Sequence, residues 1–314
     1  MRFFRASLPP PHLERTTSIS ASFSTPAALR PSIRYSQNFL RDPRLVAALL
    51  DTFHLARERT VCEIGPGKGI ITAQLAQRCQ RVIAIEQDPR LARRLRHTFA
   101  DRPNVTIAEG DFLRHRLPRE PYEVVANMPF NITSAIMARL TTPCGSPEVA
   151  YLTIQREAAE MYLGQPHESL RTILMQPWFE FAVVHRFQRT DFAPVPRVDV
   201  VMVRLRKRGP PLVPRAQSQR FRDFVTHLFT AWQPTVEYTL NHLCGARQLK
   251  VLRATLNGSL AMAPTSMTLD QWLALFAAFQ AIAGPRALAA LAGSERRLHQ
   301  QQRLLQKIHR TRTR

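Results

Sequence analysis

Short runs of β-branched and aliphatic residues alternate with helical patterns between residues 60 and 205, and this alternation constrains the fold more than any other feature of the chain. Such an alternation is the signature of strand-helix repeats, an α/β fold with a mainly parallel sheet. The predicted strands are 60–64, 81–86, 104–108, 122–126, 149–154, 179–187 and 198–205, seven in one sheet. From Phe221 the apolar residues Phe224, Val225, Leu228, Phe229 and Trp232 recur along one face of a helix, which predicts a small C-terminal helical domain. Arg206-Lys207-Arg208-Gly209-Pro210-Pro211, with Pro214 beyond it, has the composition of a linker. The expected organisation is a basic N-terminal arm over 1–34, an α/β body over 35–208, a helical domain over 209–283 and a basic tail over 284–314.

The chain has 314 residues, with 44 Lys and Arg against 23 Asp and Glu, a formal charge of +21. With 45% apolar residues it has the makings of a packed core. No apolar run approaches the roughly 18 residues of a membrane span. Cys62, Cys79, Cys144 and Cys244 form no CxxC pair and no Cys/His cluster, so neither a zinc site nor a disulfide framework is expected, and a reducing cytoplasm fits. The charge is unevenly placed. Residues 1–34 carry +4, residues 204–222 carry +7 with no acid, and residues 284–314 carry +7, while residues 35–203 hold only +3. Basic blocks around a nearly neutral body mark a polyanion partner held through counterion release. The first 34 residues read as a disordered arm rather than a transit peptide, because Pro9, Pro10, Pro11, Pro26 and Pro31 interrupt any amphipathic helix. The C-terminal segment opens with Gly284-Pro285 and reads as a helix running into Arg310, Arg312 and Arg314.

Glu63-Ile64-Gly65-Pro66-Gly67-Lys68-Gly69 follows the first strand of the α/β body and opens the next helix. Glycines there let the backbone turn tightly and approach a ligand beyond the carboxyl end of the sheet. The next strand ends in Glu86, 21 residues after Gly65, where a carboxylate can accept both hydroxyls of a ribose. The third ends in Gly110-Asp111, an acid placed to accept a hydrogen bond from an adenine amine. A dinucleotide loop requires GxGxxG, and a P-loop requires Gly-Lys-Ser/Thr; neither is present, since Lys68 precedes a glycine and Ile70 follows Gly69. S-adenosyl-L-methionine, with a ribose and an adenine but no phosphate, suits the layout.

Asn127-Met128-Pro129-Phe130 closes the fourth strand. The amino nitrogen of adenine is a poor nucleophile because its lone pair is delocalised into the ring. The Asn127 side-chain oxygen and the Pro129 carbonyl can accept its two hydrogens and bias it toward tetrahedral geometry, and Phe130 can stack on the base. A sulfonium is already a good leaving group, so positioning supplies most of the catalysis and no metal or activated nucleophile is needed.

With these residues in this order, the chain resembles the ribosomal RNA adenine N6-methyltransferases, and among them the Erm enzymes that confer macrolide, lincosamide and streptogramin B resistance. The similarity covers about residues 34–280. It begins at Tyr35-Ser36-Gln37-Asn38-Phe39-Leu40 and runs through the motifs at 63–69, 85–88, 109–111 and 127–133. It continues through Gln155-Arg156-Glu157-Ala158 and Pro177-Trp178-Phe179-Glu180, and ends in the run at 189–211. The resemblance implies a class I SAM-dependent methyltransferase with a Rossmann-like seven-stranded sheet, 23S rRNA as partner before or during ribosome assembly, and a monomer. It places Asn38, Leu40 and Gly67 on the cofactor, Gly65 at its methionine end, Glu86 on its ribose and Asp111 on its adenine. Asn127 would lie between cofactor and target amine. Phe192 would be a second aromatic near the flipped base, and Arg206, Lys207 and Arg208 would contact RNA phosphates. The family usually has Ile or Leu where this chain has Met128, and often Tyr in place of Phe130; stacking needs no hydroxyl. Two other readings stay open: the related small-subunit rRNA adenine dimethylases, and non-catalytic relatives such as mitochondrial transcription factors.

Overall fold

The computed structural model describes residues 38–142, 145–257 and 260–311. The expected arm over 1–34 lies outside them, as do Arg312, Arg314 and Cys144. A two-residue strand, β1 (Phe39–Leu40), precedes helix α1 (Pro43–Thr52), which starts where the Asp42 carboxylate accepts the Arg44 N–H and Pro43 presets the first turn. The main sheet then takes shape from β2 (Thr60–Ile64), β3 (Arg81–Glu86), β4 (Val105–Glu109), β5 (Tyr122–Asn127), β6 (Val149–Gln155), β7 (Phe179–Arg186) and β9 (Val200–Lys207). A short β8 (Phe192–Ala193) pairs with β1 outside that sheet. The strand order is β4-β3-β2-β5-β6-β9-β7, and of these seven only β9 runs against the rest.

The first strand of the sheet, β2, lies between β3 and β5, so the chain leaves it in both directions. That reversal opens a crevice at the carboxyl ends of β2 and β5. Helices α2 (Ile70–Arg78), α3 (Pro89–Thr98), α4 (Thr133–Leu140), α5 (Arg156–Leu163) and α6 (Leu170–Met175) cover the sheet. Alternate strand residues bury in two cores, Cys62, Val124 and Leu152 in one and Val61, Val125 and Tyr151 in the other.

The helical part consists of α7 (Ser218–Thr230), α8 (Val236–Asn241), α9 (Ala246–Thr255), α10 (Leu269–Ile282), α11 (Pro285–Leu291) and α12 (Ser294–Thr311). Phe221, Phe224, Val225 and Leu228 on α7 pack against Trp272, Phe276 and Phe279 of α10. Trp232 departs from the predicted face: α7 ends at Thr230, Trp232 takes φ 55°, and its side chain is 98% exposed. The helical core also takes in Ala287 and Leu291, so the packed unit runs past the expected boundary at 283. Asp223 on α7 accepts the N–H groups of Gly293 and Glu295 at 3.0 Å, and Arg222 pairs with Glu295, so the base of α12 is docked rather than free.

Candidate functional site

β2 delivers Glu63 into the interior, where the Thr72 hydroxyl of α2 donates to its Oε2 at 2.6 Å. Burial pushes its pKa up to about 8, against the pull of that hydrogen bond, and the nearby Glu86 adds to the rise. The chain next turns through Gly65 and Gly67, both at positive φ. At Gly67 a side chain has no room either: a Cβ would clash with the Phe39 ring. Glu86, at the end of β3, accepts the Gly67 N–H at 3.0 Å and the Asp88 N–H at 2.9 Å, which ties the glycine turn to the neighbouring strand. Burial raises the Glu86 pKa while those two N–H groups hold it down.

A cavity opens at these strand ends. Its walls include Gly65, Glu86, Gly110, Asp111, Phe112 and Pro129, and no Lys or Arg among the described residues lines it. Asp111 accepts the Leu113 N–H at 2.8 Å, which fixes its carboxylate at the rim. Asn127 ends β5, beside β2 in the sheet, and its Nδ2 donates to the Asn38 carbonyl at 2.7 Å. With the nitrogen anchored, the carboxamide oxygen is the end left to meet a ligand. The Pro129 carbonyl accepts the Ile132 N–H at 3.2 Å and stands 3.5 Å from the Thr133 hydroxyl, which also reaches the Phe130 carbonyl at 3.3 Å. Phe130 is half-buried and packs against the core that holds Leu40.

Gly65, Glu86, Asp111 and Pro129 line one crevice; Gly67 bonds to Glu86, Asn127 bonds to Asn38 at the end of β5, and Phe130 packs against the core that holds Leu40. Two groups of expected site residues lie away from that crevice. Phe192 is wholly buried, edge-on to Phe187 and paired through β8 with Leu40, so it offers no face to a base. Arg206, Lys207 and Arg208 stand at the opposite end of the sheet, where Arg206 is opposite Val149, the first residue of β6. Arg206 and Lys207 belong to β9 rather than a linker, and Glu180 and Glu148 engage all three cations. Sequence reading assigned no role to Phe39, whose ring covers Gly67 with the Lys68 ammonium 5.4 Å from its centre. An aromatic beside Asn38 was the available signal, but only the β1–β8 pairing shows where it lands.

Residues 29–281 match the family described as ribosomal RNA adenine dimethylase. The chain belongs to this family. An rRNA adenine N-6-methyltransferase of Saccharopolyspora erythraea is 34% identical over 77% of the chain, and one of Aeromicrobium erythreum is 39% identical over 60%. These alignments span 64% and 56% of the two relatives, so the chain covers less than two thirds of their length. The crystal structure of the 23S rRNA methyltransferase ErmE superposes with a TM-score of 0.71 at 33% identity, covering 77% of this chain and all of that one. The dimethylase-family chain therefore has the class I methyltransferase fold, with the seven-stranded sheet and helical C-terminal region read from its sequence. Among its described residues no helix is long and apolar enough to cross a membrane, and no group of three His, Cys, Asp or Glu could hold a metal.

Proposed function

We propose that the chain transfers a methyl group from S-adenosyl-L-methionine to the exocyclic N6 of an adenine in 23S rRNA, and that this modification confers macrolide, lincosamide and streptogramin B resistance. The observation that carries the reading is the Asn127 carboxamide, its nitrogen held by the Asn38 carbonyl at the end of β5, two residues before Pro129, which walls a cavity together with Glu86 and Asp111. The donor set fits the cofactor. A cavity with two carboxylates and no lining cation among the described residues repels phosphates and attracts a positively charged ligand with hydroxyl and amine donors. Glu86 would accept from the ribose, Asp111 from the adenine amine, and the Gly65 turn would leave room for the methionine end. When bound, the cofactor supplies an electrophilic methyl on a sulfonium.

The chain's own residues then position the nucleophile. Asn127 Oδ1 would accept one hydrogen of the target amine, the Pro129 carbonyl the other, with the Thr133 hydroxyl donating instead to the Phe130 carbonyl, and Phe130 would lie against the flipped base. The exposed basic residues Arg296, Arg297 and Arg303 on the docked α12 would grip phosphates. The test uses cofactor labelled on the methyl group with naked 23S and 16S rRNA, followed by mapping of the modified nucleotide. Labelled N6-methyladenine in 23S rRNA is expected. Label confined to 16S rRNA would make the chain a small-subunit enzyme, and none in either would favour a non-catalytic nucleic-acid binder.

A further inference from the structure

One cavity plays no part in that mechanism and has a lining of a different kind. It lies where the sheet meets the helical domain, at the end of the sheet opposite Asn127, and encloses about 190 Å³. Leu174 and the half-buried ring of Trp178, held edge-on to Phe221, supply a flat apolar wall. Lys207, Arg208, Arg215 and Arg222 line the same space. Three of these cations are matched: Lys207 by Glu148 at 2.7 Å, Arg208 by Glu180 at 3.0 Å and Arg222 by Glu295. Glu180 also serves Arg206, so the carboxylates here are fully engaged. Arg215, exposed on a single 3-10 turn, has no ion pair among the described residues. Directly after it, α7 opens with Ser218 on the cavity wall; the Ser218 N–H donates to the Arg215 carbonyl, and no side chain caps the N–H groups that follow.

An aromatic wall beside an uncompensated guanidinium, with the N–H groups of a helix start next to it, suits a planar ring joined to a phosphate. We propose that this cavity binds one unpaired nucleotide, its base against Trp178 and Leu174 and its phosphate toward Arg215 and the first turn of α7. The nucleotide comes from the RNA substrate, a choice of source that rests on the function proposed above; the chemistry of the cavity does not depend on it. The site would hold the RNA at a point remote from the target adenine, and it gives the basic run at 204–222 a role that the ion pairs of Arg206 and Lys207 alone do not.

The test titrates the full chain with AMP, with adenosine and with a 23S rRNA fragment, following tryptophan fluorescence and RNA affinity. AMP should quench the emission, adenosine should bind more weakly, and Trp178→Phe should abolish the quench. Arg215→Glu, on an exposed turn where folding is not at stake, should weaken AMP binding. It should also lower the slope of log affinity for RNA against log salt by about one, equivalent to roughly threefold between 50 and 200 mM salt. Absence of AMP binding, or equal binding by Arg215→Glu, overturns the site. AMP binding that depends on Arg215 with an unchanged RNA salt slope overturns the RNA source and makes a free nucleotide the ligand. A chain that binds AMP through Arg215 yet leaves 23S rRNA unmethylated would sink the proposed function and leave this cavity standing.

Discussion

The two ends of the sheet treat their buried acids in opposite ways. At the carboxyl ends of the strands, Glu63 and Glu86 are 1% and 2% exposed, and neither forms an ion pair among the described residues; a hydroxyl and backbone N–H groups are their partners. At the other end, the equally buried Glu123 has the Arg59 guanidinium at 3.2 Å, and Glu148 and Glu180 meet Lys207, Arg206 and Arg208. The Arg206 hydrogen bond holds the Glu180 carboxyl below its usual range, whereas burial lifts Glu63 well above it. At the amino ends of the parallel strands the fold matches each of these acids with a cation. At the carboxyl end, where Glu86 and Asp111 wall the cavity with no lining cation among the described residues, it keeps an electronegative crevice that a cationic ligand can complete.

The largest expected effect lies at the carboxyl end. Asn127→Ala removes the presented oxygen and leaves Glu86 and Asp111 in place, so methyl transfer should fall by about 10²-fold or more while cofactor affinity changes little. Single-turnover transfer and equilibrium cofactor binding separate the two. Near-normal turnover would break the link between the unmatched end and the chemistry. A smaller loss is expected for Gly67→Ala. The left-handed backbone at φ 58° costs an alanine about 1–2 kcal/mol, and the new Cβ must displace the Phe39 ring. Thermal stability and cofactor affinity should both drop. In a Phe39→Ala background the steric share should vanish and the backbone share remain; an unchanged penalty there would show that Phe39 does not bear on the turn.

The contrast between the ends was only half legible in the amino-acid sequence. Strands 60–64 and 81–86 match their predicted bounds because charged or turn-forming residues bracket short apolar runs, and Glu86 and Asp111 were placed by following those strands to their ends. The strand predicted at 104–108 begins and ends one residue later, since Asn104 instead turns its amide toward the carbonyls of Ala76 and Cys79. The pairing of Phe39–Leu40 with Phe192–Ala193 has no local signal: two residues carry no periodicity, and the contact joins segments over 150 residues apart. The basic triplet at 206–208 has the composition of a linker for a related reason. Its carboxylate partners come from other strands, and only the β6–β9 and β7–β9 registers bring Glu148 and Glu180 to it.

Glu63 offers the prediction with the smallest expected effect on activity, and the sharpest on the comparison itself. Its folded-state pKa of about 8 lies above the roughly 4.3 of an unfolded chain, so between those values the unfolded carboxyl is ionised while the folded one keeps its proton. The group's contribution to stability is therefore fully present below the unfolded pKa and is lost as pH rises through that window. The substitution Glu63→Gln mimics the protonated carboxyl in shape, and its amide oxygen can still accept the Thr72 hydroxyl, but it has no titrating proton to lose. Methyl transfer at neutral pH should be close to that of the unchanged chain. Melting temperatures should be similar near pH 4 and diverge toward pH 8, with the glutamine variant the more stable. Parallel stability curves across that range would mean that Glu63 is ionised in the fold. The carboxyl end would then hold a buried anion with neither a cation nor a proton to offset it, and the distinction between matched and unmatched ends would have to be drawn on other grounds.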